Sequence, residues 1–478
     1  MNRLGKWGMI AGLTFGIFQA HRAGAVIPFQ PVVPEELKMT SEPLAPGAPA
    51  IILYRQEDRD DSSNPARQEE YIRIKVLTEE GRKYADVEIP FYSDNEKIGN
   101  VRARTIQPDG TIVDFKGQVF DKNLVKGRGV KYLAKTFTLP AVQVGSILEY
   151  SYTVNLADYY IFDSHWILNE DLFIKKARFS LKPYQTSGVP FSLSYVWNAL
   201  PPGTELPKEG KDHITRMEVS NIPAFQTEDF MPPEREMKSR VDFIYARGAQ
   251  PKDQATYWKD TGKSWDEYLE KFIGKKKPME EAVAQIVAPG DTQEVKLRKI
   301  YDRVQQIRNT SFEVQKTEQE QKRANEKTPE NVEELWKRGY GNGTQITWLF
   351  LGLARAAGFE AYGCWVSSRA EYFFNPGTLE GNKLNANVVL VKLNGKDLYF
   401  DPGAAFTPYG MLAWVETGTQ GLRLDSDGGS WIETTLPAAA ESRIERVGKF
   451  KLSDTGDLEG KLTVTYTGLE AMYSLAAR

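Results

Sequence analysis

From residue 50 onward the chain alternates between apolar and polar positions. Ile72, Ile74 and Val76 are separated by Arg73 and Lys75, a period of two that predicts a β-strand with one buried face. Val101 and Ala103 alternate with Arg102 and Arg104. Pro108-Asp109-Gly110 then supplies a turn, and Thr111-Ile112-Val113 begins the returning strand. Leu148, Tyr150, Tyr152 and Val154 share a further face. Such runs, punctuated by Gly or Pro, recur to about Val219 and predict a large, mostly antiparallel β domain over residues 50–240. Pro223 and Pro232-Pro233 mark its exit, with one more strand at Val241–Ala246.

Beyond that point the period changes. Glu280–Val287 and Val295–Ile307 carry apolar residues at helical spacing, with Val295, Ile300, Val304 and Ile307 as the buried stripe. Glu313–Glu326 is mostly charged or amide and reads as a solvated loop. Thr328-Pro329-Glu330 combines a capping hydroxyl, a proline for the first helical position and an acid for the positive dipole end. It predicts a helix running to about Lys337. Gly339-Tyr340-Gly341-Asn342-Gly343 comes next, then a strongly apolar helix from Thr344 to Ala357 closed by Gly358. Strands are expected at Glu360–Val366, Asn387–Leu393 and Asp397–Phe400. A last β segment starts near Ser442 and turns at Asp454-Thr455-Gly456-Asp457. The sequence stops at Arg478 as a new element begins, so residues 440–478 read as the truncated start of a C-terminal β domain. The fold class is α+β, multidomain.

Composition narrows the chemistry. The chain has 478 residues, 41% hydrophobic, 26% charged and 12% aromatic, an ordinary globular balance for roughly three domains. With 61 Lys and Arg against 64 Asp and Glu, the net charge is only −3. That field is too weak for a dedicated nucleic-acid binder. A single Cys excludes a disulfide framework and Cys-based metal sites, and three His are too few for a histidine cluster. No metal or cofactor is therefore expected. Residues 1–25 stand apart: Arg3 and Lys6 precede an apolar stretch, Trp7–Phe18, and Ala23-Gly24-Ala25. This is the layout of a secretory signal peptide, too short to span a bilayer; an uncut N-terminal anchor is the alternative. No other run reaches membrane-spanning length. Val26–Pro49, rich in Pro and without period, reads as a linker or extended lead-in.

Three regions carry a resemblance. Lys337–Val366, followed by Asn385–Pro402, resembles the transglutaminase-like core of bacterial exported proteins, a relative of the papain-type fold, here placed at residues 264–425. The β region before it, through Tyr71–Gly81, Lys97–Gly110 and Leu139–Tyr152, is similar to the uncharacterised domain that commonly precedes such cores. Ser442–Gly468 is similar to the start of the β domain that follows them. In that family a cysteine opens a helix, a histidine begins a strand and an aspartate ends the next strand. The helix dipole lowers the thiol pKa, the imidazole moves the proton and the acid orients it. The resemblance implies that Gly343 stands at the nucleophile position, Asn387 at the histidine position and Asp401 at the third. A slip from Asn387 to Asn385 changes nothing, because neither is a histidine. Glycine cannot attack a carbonyl and asparagine cannot act as a base.

Replacements are scarce. Cys364 lies in an apolar strand and reads as a small core residue. His165, in Asp163-Ser164-His165-Trp166, and His213 both lie in the β region and read as structural or surface residues. Thr344 reads as the helix N-cap. Gly339-x-Gly341-x-Gly343 lacks the spacing of a phosphate-binding turn, and Asp58, Asp60 and Asp61 lack the rest of a calcium loop and read as a solvated hairpin. Tyr340 and Trp348 are candidate cleft-lining residues, with core packing the equal alternative. The sequence thus points to a non-catalytic, exported, transglutaminase-like protein that binds or assembles a peptide or cell-envelope partner. The alternative is a peptidase, amidase or acyl transferase with relocated catalytic residues. N-terminal sequencing of exported material should find Val26 or a close neighbour as the first residue; a retained Met1 would exclude cleavage.

Overall fold

The computed structural model describes residues 27–477 except 94, 127–130, 157–160, 162–163, 186–187, 189–190, 249–252, 314–319 and 321–326. The expected signal peptide, Asp163 and most of the loop Glu313–Glu326 lie outside the described residues. The alternating region forms an eight-stranded sheet. Its order is β12 (Lys208–Glu209), β13 (Thr215–Ile222), β10 (Ile174–Lys182), β1 (Ala50–Asp60), β2 (Arg67–Val76), β8 (Ile147–Leu156), β4 (Glu96–Ile106) and β5 (Ile112–Asp114). β1 and β10 run parallel; the other pairings are antiparallel. Two three-stranded sheets accompany it: β3 (Asp86–Tyr92), β7 (Lys131–Thr138) and β6 (Phe120–Lys126), and β11 (Phe191–Asn198), β14 (Arg240–Arg247) and β9 (His165–Ile167). Ile72, Ile74, Leu148 and Phe179 of the large sheet share one core with Ile89, Phe137, Trp166 and Phe243 of the small ones.

The expectation of one buried face fails on β2. Arg73 is 1% exposed and Lys75 is 0% exposed, although they alternate with the buried Ile72, Ile74 and Val76. The reason lies in the segment before β1, which is not a free linker. Ile27 is buried, and Val32, Leu37, Met39, Ala45 and Ala48 pack on Ile51, Leu53, Ile106, Ile147 and Phe173. A five-residue helix, α1 (Pro34–Lys38), forms part of this strap. Its backbone carries polar partners as well. Lys75 Nζ donates to Leu37 O at 2.8 Å, and Arg104 Nη2 donates to Gln30 O at 3.0 Å. Arg73 is paired with Glu36 at 2.7 Å and with the wholly buried Glu149 at 2.8 Å. Charged groups buried with such partners are tolerated; buried alone they are not.

Asp61 departs from expectation in the same way. It is 0% exposed at the end of β1, where its carboxylate accepts from Arg59 Nε, Ser164 Oγ and Tyr245 OH at 2.7, 2.5 and 2.9 Å. Asp58 and Asp60 belong to β1 itself rather than to a solvated loop.

After a short helix, α2 (Glu234–Met237), and β14, the character becomes helical: α3 (Gln254–Ile273), α4 (Lys276–Ile286), α5 (Gln293–Val304), α6 (Val332–Arg338) and α7 (Gly343–Ala356). They pack with a five-stranded antiparallel sheet ordered β19 (Lys396–Phe400), β18 (Ala386–Leu393), β17 (Glu360–Val366), β20 (Gln420–Arg423) and β21 (Ser430–Glu433). A two-residue parallel pair joins β15 (Arg308–Asn309) to β16 (Tyr340–Gly341). α7 is the axis of this second core: Gln345–Ala354 are all buried, and Leu349, Phe350 and Leu353 meet Ile300, Val389 and Phe400. Val295, expected in the buried stripe of α5, is 40% exposed; Leu297 and Tyr301 take up the inner face with Ile300 and Val304. α6 starts later than Thr328 implies, because Asn331 caps it by accepting from Glu334 N, while Pro329 O is held by Gln345 Nε2. Beyond β21, β22 (Arg443–Leu452) and β23 (Leu458–Thr467) form a two-stranded ribbon, and α8 (Gly468–Ala476) packs Leu469 and Met472 against Ala413. The whole is a multidomain, β-rich architecture of mixed helix and sheet.

Replacing Glu149 with Gln removes the buried anion between Arg73 and Arg104. Denaturant unfolding should show a loss of about 3–5 kcal/mol; an unchanged midpoint would mean that the strap carbonyls suffice.

Candidate functional site

α7 begins at a closed cap. Asn342 Oδ1 accepts from Gln345 N at 2.9 Å, and Gln345 Oε1 accepts from Asn342 N at 3.1 Å, a reciprocal capping box. The cap is therefore Asn342 and not Thr344, which sits one residue inside the helix. Gly343, the first helical residue, donates its N–H to Ser311 Oγ at 3.0 Å.

The segment after β19 folds directly onto this helix end. Thr347 Oγ1 lies 2.5 Å from Asp401 Oδ1 and 3.2 Å from Gly343 O. Gly403 N donates to Asp401 Oδ1 at 2.9 Å, and Asn309 Nδ2 donates to Gly403 O at 2.7 Å. The approach is close enough to demand glycine on both sides. A Cβ on Gly343 would stand 2.9 Å from Gly403 O, and one on Gly403 would stand 2.1 Å from Gly343 O.

Asp401 is 6% exposed and Glu416 5% exposed, and the two buried carboxyl groups act on each other's ionisation. Burial raises the Asp401 pKa above the usual carboxylate value. Burial, then the Asp401 charge, pushes Glu416 well above it. The end of β19 and the turn at Trp414–Glu416 thus bring two buried acids together, both favouring the protonated form.

The three positions implied by the resemblance are thus distributed as follows. Gly343 opens α7, and Asp401 reaches it through Thr347 and Gly403. Asn387 lies on β18, the strand neighbouring β19, opposite Trp365 of β17. Its Oδ1 is buried without a hydrogen-bond partner, and Asp401 bonds to Thr347 and Gly403. Asn385 instead fixes a loop, accepting from Ser368 N at 2.9 Å and donating to Glu371 at 3.0 Å. Trp348 is 4% exposed and packs between Phe272 and Tyr268 as part of the second core. Tyr340 is half-buried, with its hydroxyl on Lys327 O and its ring beside Arg308.

The other candidates fall to structural roles. Cys364 is 1% exposed, and burial pushes its thiol up to about 12. His165 lies 3.4 Å from Arg235, and the exposed His213 lies 2.8 Å from Glu209, both in the β region. Gly339 ends α6 with a positive φ, and a Cβ on Gly341 would meet Leu335 at 2.8 Å. Among the described residues no group of His, Cys, Asp or Glu is arranged to hold a metal ion. Thr347, Gly403 and Glu416 complete the site, and sequence reasoning missed them. Only the turn-forming Pro402-Gly403 after Asp401 signalled a close return of the chain.

Residues 63–226 match a family known as a domain of unknown function with a solved structure, DUF3857. The match falls within the β region for which that resemblance was stated. A search of curated protein sequences returns no match. The fold is similar to a crystal structure described as a "putative protease" from Parabacteroides distasonis, with a TM-score of 0.50 and 14% identity. The alignment covers 84% of this chain and 77% of that one. Leukotriene A4 hydrolase from Saccharomyces cerevisiae matches at 9% identity and a TM-score of 0.24, over 48% of this chain and 36% of that one. Legionella pneumophila aminopeptidase A matches at 8% identity and a TM-score of 0.23, over 48% and 28%.

The Asp401–Glu416 pair fixes a pH dependence. Below the ordinary carboxylate range both folded and unfolded states are protonated and the pair contributes fully. As pH rises the unfolded chain ionises first, so the contribution is lost up to the raised folded values. Glu416→Gln keeps a donor for Asp401 but cannot ionise. Its Tm should therefore rise relative to the unsubstituted protein as pH climbs above the ordinary carboxylate range; a constant difference would refute the raised Glu416 pKa.

Proposed function

We propose that this chain is a non-catalytic protein with a transglutaminase-like, papain-type core, acting as a binding or assembly module for a peptide or cell-envelope component. The contact of Gly343 with Gly403 carries the reading. At the position where the resemblance places a nucleophile there is no side chain, and the space one would fill holds a backbone carbonyl fixed by Asn309. The base position offers an amide, Asn387, and the acid position is spent on Thr347 and Glu416. Covalent catalysis needs a nucleophile and a base within hydrogen-bond reach of each other, and neither group is present here. Cys364, the sole thiol, is sealed in β17 and held protonated.

Export through residues 1–25 belongs to the same proposal and places the partner in the periplasm or outside the cell. No helix among the described residues is long and apolar enough to cross a membrane. The competing reading, a peptidase, amidase or acyl transferase with relocated residues, draws on the Parabacteroides fold neighbour, whose description names a protease. At 14% identity that likeness extends to the fold alone.

The two readings separate in one assay. Full-length protein incubated with fluorescent casein, and with a dansylated amine plus casein, should give neither cleavage nor amine transfer, with or without iodoacetamide. Turnover abolished by alkylation would overturn the proposal. Cross-linking in envelope extract should then enrich a reproducible partner.

A further inference from the structure

A cleft of about 570 Å³ opens between the first turns of α3 and the turn joining β20 to β21. It lies on a different part of the second core from the Gly343–Gly403 contact. Its apolar wall is aromatic. Trp258 is 4% exposed and fixed by a 2.7 Å bond from Nε1 to Pro376 O. Trp431, on the edge strand β21, lies 5.1 Å from it at 75° and is 40% exposed. Phe374 closes the cluster at 5.6 Å from Trp258 and 5.8 Å from Trp431.

The opposite wall is preformed too. Asp425 Oδ1 accepts from Asp427 N at 3.0 Å and Gly429 N at 2.9 Å, and Gly428 and Gly429 take φ of +113° and +95°, values suited to glycine. The Gly428 carbonyl packs onto α3 at Gly262, where a Cβ would come within 1.7 Å. Gln254, Lys259 and Asp427 supply the polar lining, while Asp253 is engaged as the α3 cap.

We propose that this cleft binds a neutral saccharide. A sugar ring offers a flat face of C–H groups and a rim of hydroxyls that both donate and accept. The exposed Trp431 indole matches the first, because an aromatic ring packs large apolar area in a fixed plane. The Asp427 carboxylate, Gln254 amide and Lys259 ammonium match the second, since between them they accept and donate. A phosphate or other anion would meet two carboxylates, Asp253 and Asp427, against one ammonium. An aliphatic peptide side chain would find one exposed indole in place of an enclosed socket. Volume and mixed lining are those of a small-molecule site. The proposal does not depend on whether the α7 end is catalytic.

The test is titration of the full-length protein, labelled with 5-fluorotryptophan, with chitotetraose and separately with cellotetraose. The fluorine resonance missing from Trp431→Phe identifies residue 431. It should shift saturably with at least one saccharide, with a Kd of about 1 mM or below. By calorimetry, Asp427→Ala and Trp431→Phe should each weaken binding about tenfold, Asp427→Ala with Tm unchanged because its side chain is exposed. No shift of the Trp431 resonance at about 10 mM of either saccharide, or full affinity in both variants, would overturn the proposal.

Discussion

Arg73 and Lys75 sit on a strand whose two faces are both closed to water, and the surrounding chain is arranged to make that tolerable. The interaction on which this arrangement turns is the carboxylate of Glu149, wholly buried on the next strand, between Arg73 and Arg104. One anion cannot neutralise the whole row, and the remainder is supplied by the strap, with Glu36 as a second acid and the carbonyls of Gln30 and Leu37 as acceptors. Phe29 adds an aromatic face 5.0 Å from Arg102 and 4.5 Å from Arg104, a cation–π contact strengthened where water is excluded. Without the strap these cations would lose partners while one side of the sheet opened to solvent. The sheet and the segment before it are therefore one folding unit, and the inner core, with Ile72, Ile74 and Trp166, lies on the opposite face of the sheet from the strap.

The second core solves a different problem. α7 is buried along ten residues, Gln345–Ala354, and the N–H groups at its partly exposed start are taken up by protein groups. Asn342, Gln345 and Ser311 take the first N–H groups, and Thr347 bridges from the helix to Asp401. The acid that the resemblance assigns to orienting an imidazole is thereby committed to tying the sheet to the helix, and the buried Glu416 raises the cost of ionising beside it. A carboxylate at the end of a strand serves architecture or chemistry according to what stands opposite it, and here a threonine and a second acid stand opposite.

What the sequence reveals depends on whether the partner is local. Ile72, Ile74 and Val76 announce β2 because the period lies within five residues, and Gly358 announces the end of α7 because its positive φ is a local demand. The burial of Arg73 and Lys75 was hidden because several of their partners are backbone carbonyls, which every residue has. α3 was hidden because Gly262 and Asp266 interrupt its buried face, and Gly262 is there for a loop more than 160 residues away. At the candidate site the resemblance implied three positions, Gly343, Asn387 and Asp401, from flanking sequence alone. Thr347 and Asp401 are 54 residues apart, however, and no local pattern joins a threonine inside an apolar helix to the end of a distant strand. Thr328-Pro329 shows the converse failure: a good local helix start was outcompeted by Asn331, since Pro329 O was needed by Gln345.

The paired glycines at 343 and 403 also restrict which sequences this one can evolve into. A codon change that gives residue 343 any side chain brings a β-carbon against the Gly403 carbonyl, and a change at 403 collides more severely with Gly343 O. That carbonyl cannot simply step aside, because Asn309 holds it and the adjacent amide is bonded to Asp401. A lineage acquiring a thiol at this helix end would first have to loosen the 401–403 segment, losing stability before any catalytic benefit existed. Such an order of events is selected against at its first step. The contact therefore favours glycine at both positions over any single replacement.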